Sequence, residues 1–183
     1  TGLGKCANLK IDINIAKSNI LWLPQEIILF NNCNFARKIN LHLDTFSNLV
    51  MCETTIFGRT SMQETVERGY FSDLWKIYLD EKILHAEAIN FSGEIKEFIT
   101  NKTNLNDKYA VNTILIIGKE FIKKAELLDI NKYENKNVQI AISQWDNKIL
   151  IRSIGKNSYY LKFAIIKILT YFLGDNLPNV WNS

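Results

Sequence analysis

The stretch that most restricts how this chain can fold is LVMCETTIF, residues 49–57. Successive side chains on a strand point to opposite faces. Leu49, Met51, Glu53, Thr55 and Phe57 therefore share one face, and Val50, Cys52, Thr54 and Ile56 share the other. Neither set suits water, so the strand should be covered on both sides and Glu53 carried inside with it. An unpaired carboxylate there is costly and tends to neutralise by a raised pKa. Arg59 is the obvious partner in sequence, yet six residues of extended chain separate the two by roughly 20 Å. They meet only if Gly58 makes a sharp corner. Otherwise they sit in a row along an interior wall, each with its own partner.

The surrounding chain reads as strand after strand. Residues 7–15 alternate, with Leu9, Ile11, Ile13 and Ile15 opposite Lys10, Asp12 and Asn14, and residues 35–44 alternate again. Residues 19–30 are interrupted by Pro24, which cannot donate to a ladder and marks an edge, bulge or corner. Residues 70–80 and 82–90 form two more strands around Asp80 and Glu81, and residues 92–109 read as a polar surface excursion. A strand follows at 110–118. A helix follows over 119–130, where Phe121, Ile122, Ala125 and Leu128 recur at helical spacing. A hairpin then turns at Asp146 and Asn147. The last element is a helix capped by Asn157 or Ser158 and closed by Gly174. That helix is apolar nearly all round, so it is either a core helix or one with a second face left for a protein partner. At about fifteen residues it is too short for a membrane span. The order points to a mainly β fold, open or coiled, rather than to alternating α/β layers.

Composition bounds the function. The chain has 183 residues, 47% hydrophobic and 22% charged, with a net charge of +3, and this suits one globular domain. Its scattered lysines lack the basic, aromatic-interleaved stripe of a nucleic-acid groove. Cys6, Cys33 and Cys52 are odd in number and far apart, which argues against a disulfide framework or a structural zinc site and points to a reducing cytoplasm. No secretion signal is evident, although the chain starts at Thr1 and reads as a fragment. There is no GxSxG, HExxH or phosphate loop, and TGLGK is far from a Walker motif.

A second polar intrusion lies at KILHAEAIN, residues 82–90, whose odd face reads Ile83, His85, Glu87, Ile89. His85 alone suits a hydrogen-bonded core histidine and Glu87 a paired structural carboxylate. Taken with Glu53 and Arg59, they make a polar interior suited to a hydrated passage or a weak site for a divalent cation with O and N ligands.

Three segments in order, WLPQEIILFNNCNFARKINLHL, CETTIFGRTSMQE and GYFSDLWKIYLDEKILHAEAI, followed by LPNVWNS at the end, resemble the urease accessory protein UreD family over roughly residues 5–183. Two departures stand out. The usual Ala-x-Gly-Glu after the arginine is Ser61-Met62-Gln63-Glu64, and the family's upstream Gly-Gly-rich part is absent. The resemblance implies a single UreD-like domain over residues 1–183, lacking the N-terminal strands. Its fold would be a coiled β-superhelix of stacked antiparallel sheets with a few helices. It also implies a non-enzymatic maturation factor with no permanent cofactor. Such a factor binds UreF, through it the GTPase UreG, and also apo-urease, and passes transient Ni2+ through an internal polar tunnel. By motif the tunnel residues fall on Glu53, Arg59 and Glu87, with Glu64 as the motif glutamate, and strand parity adds His85. The alternative from another class is a lipocalin-like small-molecule barrel. That fold fits the strand order but wants an apolar interior. A hydrolase would need a nucleophile paired with a base, and none is visible.

Overall fold

A computed structural model describes residues 4–59 and 64–181. Among the described residues, ten strands and three α-helices are arranged in chain order: β1 (Ala7–Ile15), β2 (Asn19–Trp22), β3 (Ile27–Leu29), β4 (Cys33–Leu43), β5 (Asn48–Phe57), β6 (Arg68–Leu79), β7 (Lys82–Glu94), α1 (Ile95–Thr100), β8 (Ala110–Ile117), α2 (Lys119–Glu126), β9 (Val138–Trp145), β10 (Lys148–Gly155) and α3 (Ser158–Leu173). One sheet has the order β1-β4-β6-β7. The other has the order β2-β5-β8-β10-β9, with β3 also on β5.

The doubly apolar β5 explains the layering. Its odd face, Leu49 and Met51, packs with Ile39, Leu41, Trp75 and Ile77 of the first sheet. Its even face, Val50, Cys52 and Ile56, packs with Leu161, Ile165, Ile168 and Phe172 of α3. The second sheet is thus the middle of three layers, and this is why β5, β8 and β10 are apolar on both sides. Each fully buried Leu, Ile or Phe contributes about 1.5–3 kcal/mol, so α3 is held by its inner face. Asn157 caps that helix, its side chain accepting the Tyr160 N–H at 3.1 Å.

The sheets are mixed rather than antiparallel. Consecutive strands β4, β5 and β6 alternate between sheets, so β4 returns to a parallel neighbour in β6, and β1–β4, β2–β5 and β3–β5 are parallel too. Both sheets stay open, and the lipocalin-like barrel is not formed: β1, β7 and β9 each have only one strand neighbour among the described residues. Pro24 falls between β2 and β3, which pair with the two ends of β5 and leave its middle uncovered at Glu53. Trp181 fills part of that break, its indole N–H donating to the Leu23 carbonyl at 3.1 Å.

Three local readings change. Residues 92–109 are not simply a surface excursion, because Ile95, Ile99 and Leu105 are buried and close one end of the inter-sheet core. The helix read over 119–130 ends at Glu126. In the β6–β7 hairpin, Ile77 pairs His85 but Tyr78 pairs Ile83, so Leu84 is an extra residue that flips the phase. Ile83 is therefore exposed while His85 and Glu87 stay inside. Both hairpin turns place two residues at positive φ, Asp80 and Glu81 in one, Asp146 and Asn147 in the other, the geometry that matches strand twist. Among the described residues no helix is long and apolar enough to cross a membrane.

Candidate functional site

Charged side chains enter the space between the sheets from both walls. On β4 the inward phase is Arg37, Ile39, Leu41, Leu43, and on β6 it is Phe71, Asp73, Trp75, Ile77. Arg37 and Asp73 are direct neighbours in register. The Arg37 guanidinium donates from Nε to Asp73 Oδ1 at 2.9 Å and from Nη2 to Oδ2 at 2.6 Å. It reaches across to β5 from Nη1, 3.0 Å from Glu53 Oε1. Indole N–H groups complete the cluster: Trp22 donates to Glu53 Oε1 at 2.6 Å and Trp75 to Asp73 Oδ2 at 3.0 Å.

The electrostatics are unbalanced. Two carboxylates share one guanidinium, so with both ionised an excess negative charge sits in a buried interior. Burial pushes the Glu53 carboxyl above its ordinary value, against the pull of Arg37 and the Trp22 hydrogen bond. Burial also works against the Arg37 charge, but Asp73 and Glu53 more than restore it. Glu53 Oε2 lies 3.0 Å from Arg37 Nη2, yet no donor is aligned to it. Its backbone is held from the other face of the sheet, where Asn112 Nδ2 donates to the Glu53 carbonyl at 2.9 Å.

A second cluster lies in the same transverse slice. Glu87 on β7 is the register neighbour of Trp75. It accepts both contacts of Arg152 Nη2 from β10, at 3.0 and 2.7 Å. His85 Nε2 stands 3.5 Å from Glu87 Oε2, buried and without a hydrogen-bond partner. Burial raises the Glu87 pKa, but the neighbouring His85 imidazole and the hydrogen bonds and charge of Arg152 outweigh it, and the carboxyl ends below its ordinary value. Buried Thr113 of β8 lies in register between Glu53 and Arg152. At roughly 4.8 Å per strand, Glu53 and Arg152 are about 10 Å apart across the sheet. The row ends at a cleft of about 520 Å³ beside Glu87 and Arg152, walled by Phe91, Phe98, Val111 and Ile154.

Of the five candidate residues, Glu53, Glu87 and His85 are thus interior. Arg59 and Glu64 are not in this row. Gly58, at φ 75°, does turn the chain, but it delivers Arg59 to Glu64, Nε to Oε2 at 2.8 Å, with the Arg59 side chain 45% exposed. Ser61, Met62 and Gln63, where the sequence departs from the motif, lie outside the described residues. The sequence reading misses Arg37, Asp73 and Arg152, although each shares its strand phase with core residues, the same signal that exposed Glu53. No group of three or more His, Cys, Asp or Glu is placed to hold a metal ion among the described residues. What the row offers is carboxylates, each engaged by a guanidinium, and one buried imidazole beside Glu87.

The UreD urease accessory protein family model matches residues 2–182. The chain belongs to the UreD family. Among its relatives, a urease accessory protein UreD of Rhodopseudomonas palustris (strain ATCC BAA-98 / CGA009) is 30% identical over 181 residues, 98% of this chain and 64% of the relative. A UreD of Rhizobium leguminosarum bv. viciae is 30% identical over 168 residues, 91% of this chain and 60% of its own. One of Agrobacterium fabrum (strain C58 / ATCC 33970) is 31% identical over 164 residues, 88% and 56% respectively. The chain therefore spans less than two thirds of the length of these UreD relatives.

Proposed function

We propose that this chain is the larger part of a non-catalytic urease maturation factor. It binds UreF, through UreF the GTPase UreG, and also apo-urease, and it hands Ni2+ to the urease active site along its interior. The proposal takes residues 1–183 as one UreD-like domain and its two sheets as a section of the coiled β-superhelix. It sets the complex in the cytoplasm, in keeping with the free thiols of Cys6, Cys33 and Cys52. The observation that carries it is the polar row between the sheets, with more carboxylate than guanidinium at its inner end.

In this reading Ni2+ is cargo. Oxygen and imidazole ligands suit a borderline divalent ion held weakly. Glu87 and His85 receive it at the cleft side and Glu53 at the inner end. Arg37 and Arg152 keep the carboxylates occupied until a cation displaces them, so that no ion is retained. Arg59 and Glu64 line the outer rim beyond the Gly58 corner. Co-expression with the urease operon tests this. Glu53→Ala or Glu87→Ala should lower the nickel content of urease while the complex with UreF still forms. Unchanged nickel content would refute the conduit, and loss of the complex would make these residues structural.

A further inference from the structure

The outer side of α3 is not used by the core. Tyr159 is 73% exposed, Phe163 58% and Tyr160 39%. With Asn135, Lys136 and Asn137 they line a concave groove of about 340 Å³ between the helix and the loop before β9. Exposed aromatic side chains clustered in this way are the residue types that dominate protein interfaces.

The charged side chain that lines the groove is a cation, and further lysines stand near it. Lys136 is in its wall. Lys156 is tied to that wall, its backbone N–H donating to the Asn137 carbonyl at 2.8 Å. Lys167 holds its ammonium 4.3 Å from the centroid of the Phe163 ring. None of these three lysines has an ion-pair partner among the described residues, whereas Lys162, on the same helix, is engaged by Glu26 at 3.7 Å. The nearby Glu134 carboxylate is already committed, accepting the Ile140 N–H at 2.7 Å. The N-terminal turn of α3 adds its dipole with the same sign.

We propose that this groove is a docking site for an acidic amphipathic helix of a partner protein, its apolar ridge seated on Tyr159, Tyr160 and Phe163 and its carboxylates facing Lys136, Lys156 and Lys167. A concave surface receives a ridge of side chains. An anionic bilayer would call for a protruding face with more cations around it. The inference is independent of the interior row.

The test uses the whole chain and fluorescence anisotropy with a synthetic helix of about 14 residues, Leu at i, i+3, i+4 and i+7 and Glu elsewhere. A second peptide carries Lys in place of Glu. The acidic peptide should bind in the micromolar range and weaken as salt rises. Tyr159→Ser/Phe163→Ser should weaken it at least about tenfold with an unchanged thermal midpoint, since both positions are exposed. Lys136→Glu/Lys156→Glu should weaken the acidic peptide and favour the lysine peptide, and this variant decides the matter alone if the aromatic pair fails to fold. No binding up to about 1 mM, equal binding of both peptides, or indifference to both variants overturns the proposal. Sedimentation with anionic phospholipid vesicles in place of peptide binding overturns it too, assigning the patch to a membrane surface.

Discussion

Replacing Arg37 with Met keeps most of the side-chain volume and removes the only cation among the described residues in contact with Glu53 and Asp73. Three charge-assisted hydrogen bonds vanish. Among the described residues, the Glu53 side chain keeps only the Trp22 donor and Asp73 only the Trp75 donor. Breaking a buried pair in this way costs about 3–5 kcal/mol, a fifth or more of the stability of an ordinary domain, about 5–15 kcal/mol. The cost must depend on pH. Without the guanidinium, burial raises the Glu53 carboxyl in the folded state further above its unfolded value. Groups raised on folding contribute stability at pH below the unfolded value and lose it as pH rises through the folded one. The deficit of Arg37→Met should therefore be small near pH 4 and reach its full size by about pH 8. Urea unfolding followed by circular dichroism at both pH values measures it as a shift in midpoint at constant slope. Adding Glu53→Gln and Asp73→Asn should recover much of the loss, because the stranded charges are gone. A deficit below about 1 kcal/mol at pH 8, or one equal at both pH values, would refute the argument that two carboxylates depend on one guanidinium.

The second cluster has the opposite sign. The Glu87 carboxyl is held below its ordinary value, so it stabilises the fold above the unfolded pKa and loses that contribution as pH falls through the folded one. Glu87→Gln should cost about 1 kcal/mol at pH 7, Arg152 being largely solvated, and converge with the parent chain below about pH 4 in the same unfolding experiment. At the strand corner, a Cβ on Gly58 would lie 2.5 Å from the Glu64 carbonyl oxygen, on a backbone already at φ 75°. Gly58→Ala should lower stability by about 1–3 kcal/mol, read from thermal unfolding, and a neutral result would mean that the corner relaxes freely.

Much of the fold was legible because strand phase is a local property. The alternation in β1 and β4, the doubly apolar β5, the cap at Asn157 and the break at Pro24 all announce themselves over a few residues. The same rule flagged Glu53, His85 and Glu87 as interior charges, and they are buried. It failed at Ile83, where a bulge at Leu84 changed the phase, because a bulge needs two strands to exist. It also understated residues 95–105, whose apolar residues are few but plug one end of the core.

What only the tertiary structure decided is which charge meets which. Arg59 lies six positions from Glu53 and ends on the surface with Glu64, whereas Glu53 is served by Arg37, sixteen positions earlier, and by Trp22, thirty-one earlier. Arg152 finds Glu87 across sixty-five positions. The sequence by itself determined that carboxylates would go inside, since the hydrophobic pattern of their own strands carries them there. Their counter-ions, and therefore the imbalance that defines the row, depend on how two sheets stack, and stacking is set by non-local packing that no single segment encodes.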